Sequence, residues 1–283
     1  MPTFDTPEPI SAAIDLVAGD VRLTATDAGA TVVTVRPSDA SDDDDRKAAA
    51  ATLVECAGGR LVVRAPRPGL RSWLSPRGVG SIDVTIELPA GSDVHGTGHT
   101  ASFHCDGRLA DCRIKTGLGS IRLAEAASVS LKSGAGDISA DRVTGHAAVM
   151  SASGDVRVRE LGENAVVKTA NGDTWVGSAG GDVALTAANG TIAVDVAHAG
   201  VVAKSAKGDL RLGEVVRGSV VLQTHTGDVE VGIREGTAAW LDVSALAGQV
   251  HNALAAAAAP EPSAETVEVR ARTSTGDVVI RRA

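Results

Sequence analysis

The feature that most constrains this chain is an internal repeat. A glycine, then Asp or another small polar residue, then usually an aliphatic or β-branched residue recurs at Gly119, Gly136, Gly154, Gly172, Gly190, Gly208 and Gly227. Successive spacings are 17, 18, 18, 18, 18 and 19 residues. Looser members stand at Gly19, Gly80, Gly248 and Gly276. A fixed period of this length marks a stack of equivalent units, each burying its apolar face against its neighbours.

Inside a unit, apolar and small residues alternate. Before the glycine the pattern reads Ala165/Val167/Thr169, Val183/Leu185/Ala187 and Val201/Ala203/Ser205; after it, Thr174/Val176, Ile192/Val194 and Leu210/Leu212. Period two is the signature of a pleated strand with one buried face. The corner between the two strands, as at Asn171-Gly172, uses residues that accept positive φ. A third apolar position follows at Val143, Leu161, Ala179, Ala197 and Val215.

Three inward segments in about 18 residues predict an all-β fold, a single-stranded, three-sided parallel β-solenoid. Like side chains should stack in columns about 4.8 Å apart. A left-handed coil would need an aliphatic residue at every sixth position, which Leu131, Asp137 and Val143 do not supply. Right-handed winding is therefore expected, as for parallel β crossovers generally. An antiparallel meander with Asn-Gly hairpins is the competing fold. Propeller blades, at roughly 40–50 residues each, do not fit the period. Composition agrees with a thin core: the chain has 32 Gly and no Tyr, and only 2% of its residues are aromatic.

The organisation expected is one solenoid domain over residues 1–283. Residues 10–118 make less regular coils with loops at 37–50 and 66–78, the first holding the acidic run Asp42 to Asp45. Regular coils fill 119–235, and 236–283 add C-terminal coils around an Ala- and Pro-rich insert at 253–265. The irregular ends read as caps, so no open filament is expected.

With 27 basic and 35 acidic residues, the formal charge is −8. That balance disfavours nucleic acid, whose binding needs a basic surface. No run approaches the roughly 18–20 apolar residues of a membrane span. The start, Met1-Pro2-Thr3-Phe4-Asp5, has neither the basic nor the apolar part of a secretory signal, so a cytoplasmic address is expected. Cys56, Cys105 and Cys112 are too few, and odd in number, for a disulfide framework.

Three constellations hold chemistry-bearing residues. Asp137, Asp155, Asp173, Asp209 and Asp228 recur at one corner, where stacked carboxylates suit calcium. Thr191 and Ser120 break that column, and a short Asp at a corner also caps its own turn by accepting a backbone N–H, which is the expected role. His95, His99, His104, Cys105 and Cys112 are zinc-ligand types at spacings that fit no compact motif, so no metal is expected. Arg157, Arg159, Trp175, Asp195, Arg211 and Glu230 lie outward on one face, dispersed and with a single aromatic. A carbohydrate-active β-helix enzyme needs convergent carboxylates there. No catalytic residue, cofactor or enzymatic activity is expected.

The outward column before the corner differs. Ser130, Ala148, Val166, Ala184, Val202 and Val221 make a flat, largely apolar stripe, the mark of a covered interface. Either the C-terminal insert, with Trp240 and Leu241, folds over it, or a protein partner or second copy does. In the latter case Ala148, Val166, Ala184, Val202 and Val221 are the interface, and self-association should give a closed side-by-side dimer.

The Gly-Asp-Val coils, the run Val167 to Gly177 and the ending Val267 to Asp277 resemble the bacterial β-strand-repeat family labelled "putative adhesin". The resemblance spans about residue 10 to residue 281 and is strongest to actinobacterial members. It implies a β-solenoid domain of unknown function with no family catalytic residues to transfer. The reading that follows is a non-enzymatic scaffold or protein-interaction module, with a cell-surface or envelope adhesin and a carbohydrate-active enzyme as alternatives.

Overall fold

The computed structural model describes residues 2–66, 80–254 and 265–283. Nearly all of the loop expected at 66–78 and most of the insert at 253–265 lie outside the described residues. The fold is a parallel β-solenoid, and the chain divides into two compact units, Met1–Ser139 and Ala140–Ala283.

The first unit holds β1 (Thr3–Asp5), β2 (Ser11–Thr26), β3 (Ala30–Pro37), helix α1 (Asp43–Ala50), β4 (Leu53–Ala57) and β5 (Arg60–Arg64). It continues through β6 (Ile82–Pro89), β7 (Asp93–Leu118) and β8 (Ile121–Ala135) to the start of β9 (Ile138–Val143). One edge of β2 runs parallel to β7, with Ser11 opposite Asp93 and Thr24 opposite Asp106. Its other edge pairs with β5 and then β6. β5 and β6 thus build the coil on the far side of β2 from β7, although they lie between the two in sequence. Antiparallel strands cover that coil: β4 on β5, β3 on β6 and β1 on β3.

Two local expectations change here. The acidic run is not a loop but the start of α1. Asp42 caps the helix by accepting the Asp44 and Asp45 N–H groups, and three first-turn carboxylates favour the positive helix end. The Asp45 carboxylate reaches back to accept the Asp39 and Ser81 N–H groups at 2.9 and 2.6 Å, tying the helix to the entry of β6. Gly80 is not a coil corner either, since Ile82 lies opposite Gly19 and Val84 opposite Val21. Its job is clearance, because a Cβ there would sit 2.3 Å from the Asp44 carbonyl oxygen. A shift of two residues keeps every side chain on its face, so alternation could not reveal it.

The second unit is the regular stack. Its strands are β10 (Ala147–Ser153), β11 (Val156–Leu161), β12 (Ala165–Asn171), β13 (Thr174–Ala179), β14 (Val183–Asn189), β15 (Ile192–Ala197) and β16 (Val201–Lys207). There follow β17 (Leu210–Val215), β18 (Gly218–Thr226), β19 (Val229–Ile233), β20 (Ala238–Ala247), β21 (Val250–Asn252), β22 (Thr266–Thr275) and β23 (Val278–Arg282). From β10 to β17 every strand pairs in parallel with the strand two further on, one coil away. Val149, Val167, Leu185, Ala203 and Leu222 form one fully buried column. The third inward position forms its own ladder: the Gly180 N–H donates to the Leu161 carbonyl at 2.7 Å and the His198 N–H to that of Ala179 at 2.9 Å.

The last coils do not stack in chain order. β18 pairs with β22 and β19 with β23, while β20 and β21 pair with the far edges of β22 and β23. Apolar burial accounts for the choice. Val267, Val269, Ala271, Val278 and Ile280 are fully buried in the inner slot, whereas Leu241 and Val243 are half-buried in the outer one.

Replacing Leu185 with Asp puts an uncompensated carboxylate into the closed column. It should lower the unfolding free energy by roughly 3–5 kcal/mol, read as a large fall in Tm by circular dichroism. An unchanged Tm would mean that Leu185 does not face inward.

Candidate functional site

The outward side chains of the second unit inherit the register of the inward ones. Ala148, Val166, Ala184, Val202 and Val221 are therefore direct cross-strand neighbours on β10, β12, β14, β16 and β18. Val166 and Val202 are 41% and 39% exposed, and the two alanines and Val221 are half-buried. The alternation of Ala and Val leaves a low relief, with Met150 beside it at 37% exposure. The next outward column is polar: Lys168, Thr186, Lys204 and Gln223 follow Met150 in register. In the inserted coil the apolar column meets Arg270, and beyond it Asp242, so the stripe ends at a charged border.

Trp240 and Leu241 do not cover this stripe. They belong to β20, where Trp240 lies opposite Glu268 and Leu241 opposite Val269 at the end of the stack. Among the described residues nothing lies across Val166 or Val202.

The corner carboxylates cap, but not their own turns. Asp155 Oδ1 accepts the N–H of Asp173 at 3.0 Å, and Asp173 Oδ1 accepts that of Thr191 at 2.8 Å. The relay resumes from Asp209 to the Asp228 N–H, from Asp228 to the Asp277 N–H and from Asp277 to the Gln249 N–H. Each Asp thus satisfies the donor one coil further on. A second relay runs on another corner, where Asn164 accepts from Asp182 N–H and Asp182 from Gly200 N–H. The other carboxylate oxygens of Asp155 and Asp209 pair with Arg157 and Arg211 at 3.0 and 3.1 Å. Sequence alone placed an Asp at most corners but could not say which coil its oxygen serves.

The remaining candidates do not assemble. His95 and His104 point outward on β7 while Cys105 and Cys112 are buried on its inner side, and among the described residues no three potential metal ligands gather. On the face after the corner, Arg157, Trp175, Arg211 and Glu230 share one column. The polar groups on this face are used locally: Trp175 Nε1 donates to Asp195 at 3.2 Å, Arg159 pairs with Asp141 at 3.4 Å and Arg281 with Glu230 at 2.7 Å. No carboxylate pair converges there with an acid and a base in position. The Cys112 thiol is held well above its usual pKa by its hydrogen bond with Cys105 and by burial, and burial also raises that of Cys56.

The Toastrack DUF4097 family model matches residues 11–281. The chain belongs to that family. Among solved structures it is similar to a protein described as a "putative adhesin" from Bacteroides fragilis, at 13% identity and TM-score 0.35, covering 100% of this chain and 95% of that one. A second "putative adhesin", from Parabacteroides distasonis, shows 11% identity and TM-score 0.35 over 98% and 95% of the two chains. A "putative cell adhesion protein" from Clostridium sporogenes shows 8% identity and TM-score 0.21 over 100% and 98%. No curated protein matches the chain.

Asp173→Asn keeps the accepting oxygen and should leave Tm nearly unchanged, whereas Asp173→Ala strands the Thr191 N–H and should cost about 1 kcal/mol. Chelation with EDTA should change neither variant. A fall in Tm reversed by calcium would reassign the column to metal. In a thiol titration with a disulfide reagent, Cys56 should react in the native protein, and Cys105 and Cys112 only after unfolding; three fast thiols would contradict their burial.

Proposed function

We propose that this protein is a non-enzymatic interaction scaffold whose solenoid presents the stripe Ala148, Val166, Ala184, Val202 and Val221 to a protein partner. The observation that supports this most directly is the exposure of Val166 and Val202 in the middle of an unbroken apolar column with a charged border. An isolated exposed Val needs no explanation, but five small apolar residues in register form a continuous surface that water wets poorly. A parallel sheet holds such a column rigidly, so docking costs little ordering of the scaffold itself. A protein surface of matching flatness is the partner this suggests, and a second copy laid side by side is the homotypic version.

The test is a pull-down from the native cell with the wild type and with Val166→Lys/Val202→Lys, read by mass spectrometry. The double variant should keep its Tm within about 1 kcal/mol of stability, since both residues point outward, yet lose the partner that the wild type enriches. If both proteins capture the same set, the stripe is not the interface. Light scattering checks the homotypic version, because a side-by-side dimer must dissociate in Val202→Lys. Recovery of the intact chain outside the cell, with binding lost in the same variants, would make the ligand a surface one, as an adhesin requires.

A further inference from the structure

β20 ends the stack of the second unit, and among the described residues it is paired along one edge only, to β22. Its other edge carries a row of backbone N–H and C=O groups, an arrangement that recruits a further strand. The devices that usually discourage such pairing are missing. Ala238 to Ala247 contains no Pro and no Lys, and its single charge, Asp242, is already paired with Arg272 at 3.1 Å. Leu241 and Val243 stack on the fully buried Val269 and Ala271 but are themselves only half-covered. On the outward face Trp240 and Leu246 are 58% and 87% exposed, the two highest values among the large apolar residues described.

We propose that this edge joins two copies of the chain, with β20 pairing antiparallel to itself about a two-fold axis at Val243. Antiparallel pairing sets inward residues opposite inward ones, so the axis must pass through a residue. An axis at Asp242 would oppose two carboxylates, and one at Ser244 would set Asp242 against Leu246. At Val243 every pairing is compatible: Asp242 faces Ser244 of the second copy, Leu241 faces Ala245 and Trp240 faces Leu246. Both half-covered core residues are then sealed, and the aromatic ring gains an aliphatic cross-strand neighbour. The pairing is isologous and consumes the edge that drives it, so assembly stops at a dimer. This interface is independent of the outward stripe.

Sedimentation of the full chain over a concentration series decides it. The wild type should form a dimer. Trp240→Lys and Leu246→Lys should each raise the dissociation constant at least tenfold without changing the fold by circular dichroism, both residues being exposed. The double variant Trp240→Glu/Leu246→Lys should regain the dimer, because the introduced charges face each other across the two-fold. Val202→Lys should leave it intact, which separates this interface from the stripe. A wild type that stays monomeric, as it would if the chain's own residues cover this edge, overturns the proposal. So does a dimer that survives Trp240→Lys, or a double variant that stays monomeric. Fibres would overturn the two-fold.

Discussion

Every regular coil of this chain depends on turning one sharp corner without stranding the backbone donors that the turn leaves outside the ladder. The glycine there adopts φ near +136° at Gly172, and a Cβ would sit 2.3 Å from the carbonyl oxygen of Gly154 in the adjacent coil. Both the dihedral and the close stacking therefore require glycine. The residue after it carries the N–H that the adjacent coil's Asp accepts. Cooperativity along the stack thus runs through side chains as well as through the ladder, because an Asp in one coil completes the backbone of another.

The same corner chemistry explains how coils stack out of chain order. The relay passes from Asp228 to Asp277 and on to Gln249, so it follows space rather than sequence. Corners are interchangeable because each offers the same backbone donor, and most offer the same Asp acceptor. What then selects the order is burial. The Val- and Ile-rich β22/β23 segment gains more from the inner slot than β20/β21 would. A comparable inversion occurs in the first unit, where β2 lies between β7 and the coil made by β5 and β6. There the outer coil is covered by antiparallel strands, which pair its edge groups, whereas the outer edge of β20 is unpaired among the described residues.

A rigid pleat also makes function a matter of which columns face out. Inward columns are filled by Val, Leu, Ile and Ala, because a coil this narrow has little room for rings. Phe103 is buried only where Gly96 and Gly98 clear space, a Cβ at Gly96 falling 2.7 Å from its ring. The face after the corner carries exposed Arg–carboxylate pairs, each worth little to stability. Against that polar background the stripe through Val166 and Val202 stands out, since core burial does not call for valine on a solvent face.

The sequence by itself determined the solenoid, its period, its inward columns and the stripe, because period-two alternation within an 18-residue repeat is a local property that stacking merely multiplies. The third inward position at Leu161, Ala179, Ala197 and Val215 was legible for the same reason. Only the tertiary structure decided which coil each Asp serves, where Gly80 falls in register, and that Asp42 to Asp45 cap and begin a helix rather than make a loop. It alone decided that β22 lies between β18 and β20, and β23 between β19 and β21. A repeat fixes what each coil looks like, but identical coils are interchangeable neighbours. Their order is therefore set by differences in buried area that emerge only once the coils are stacked.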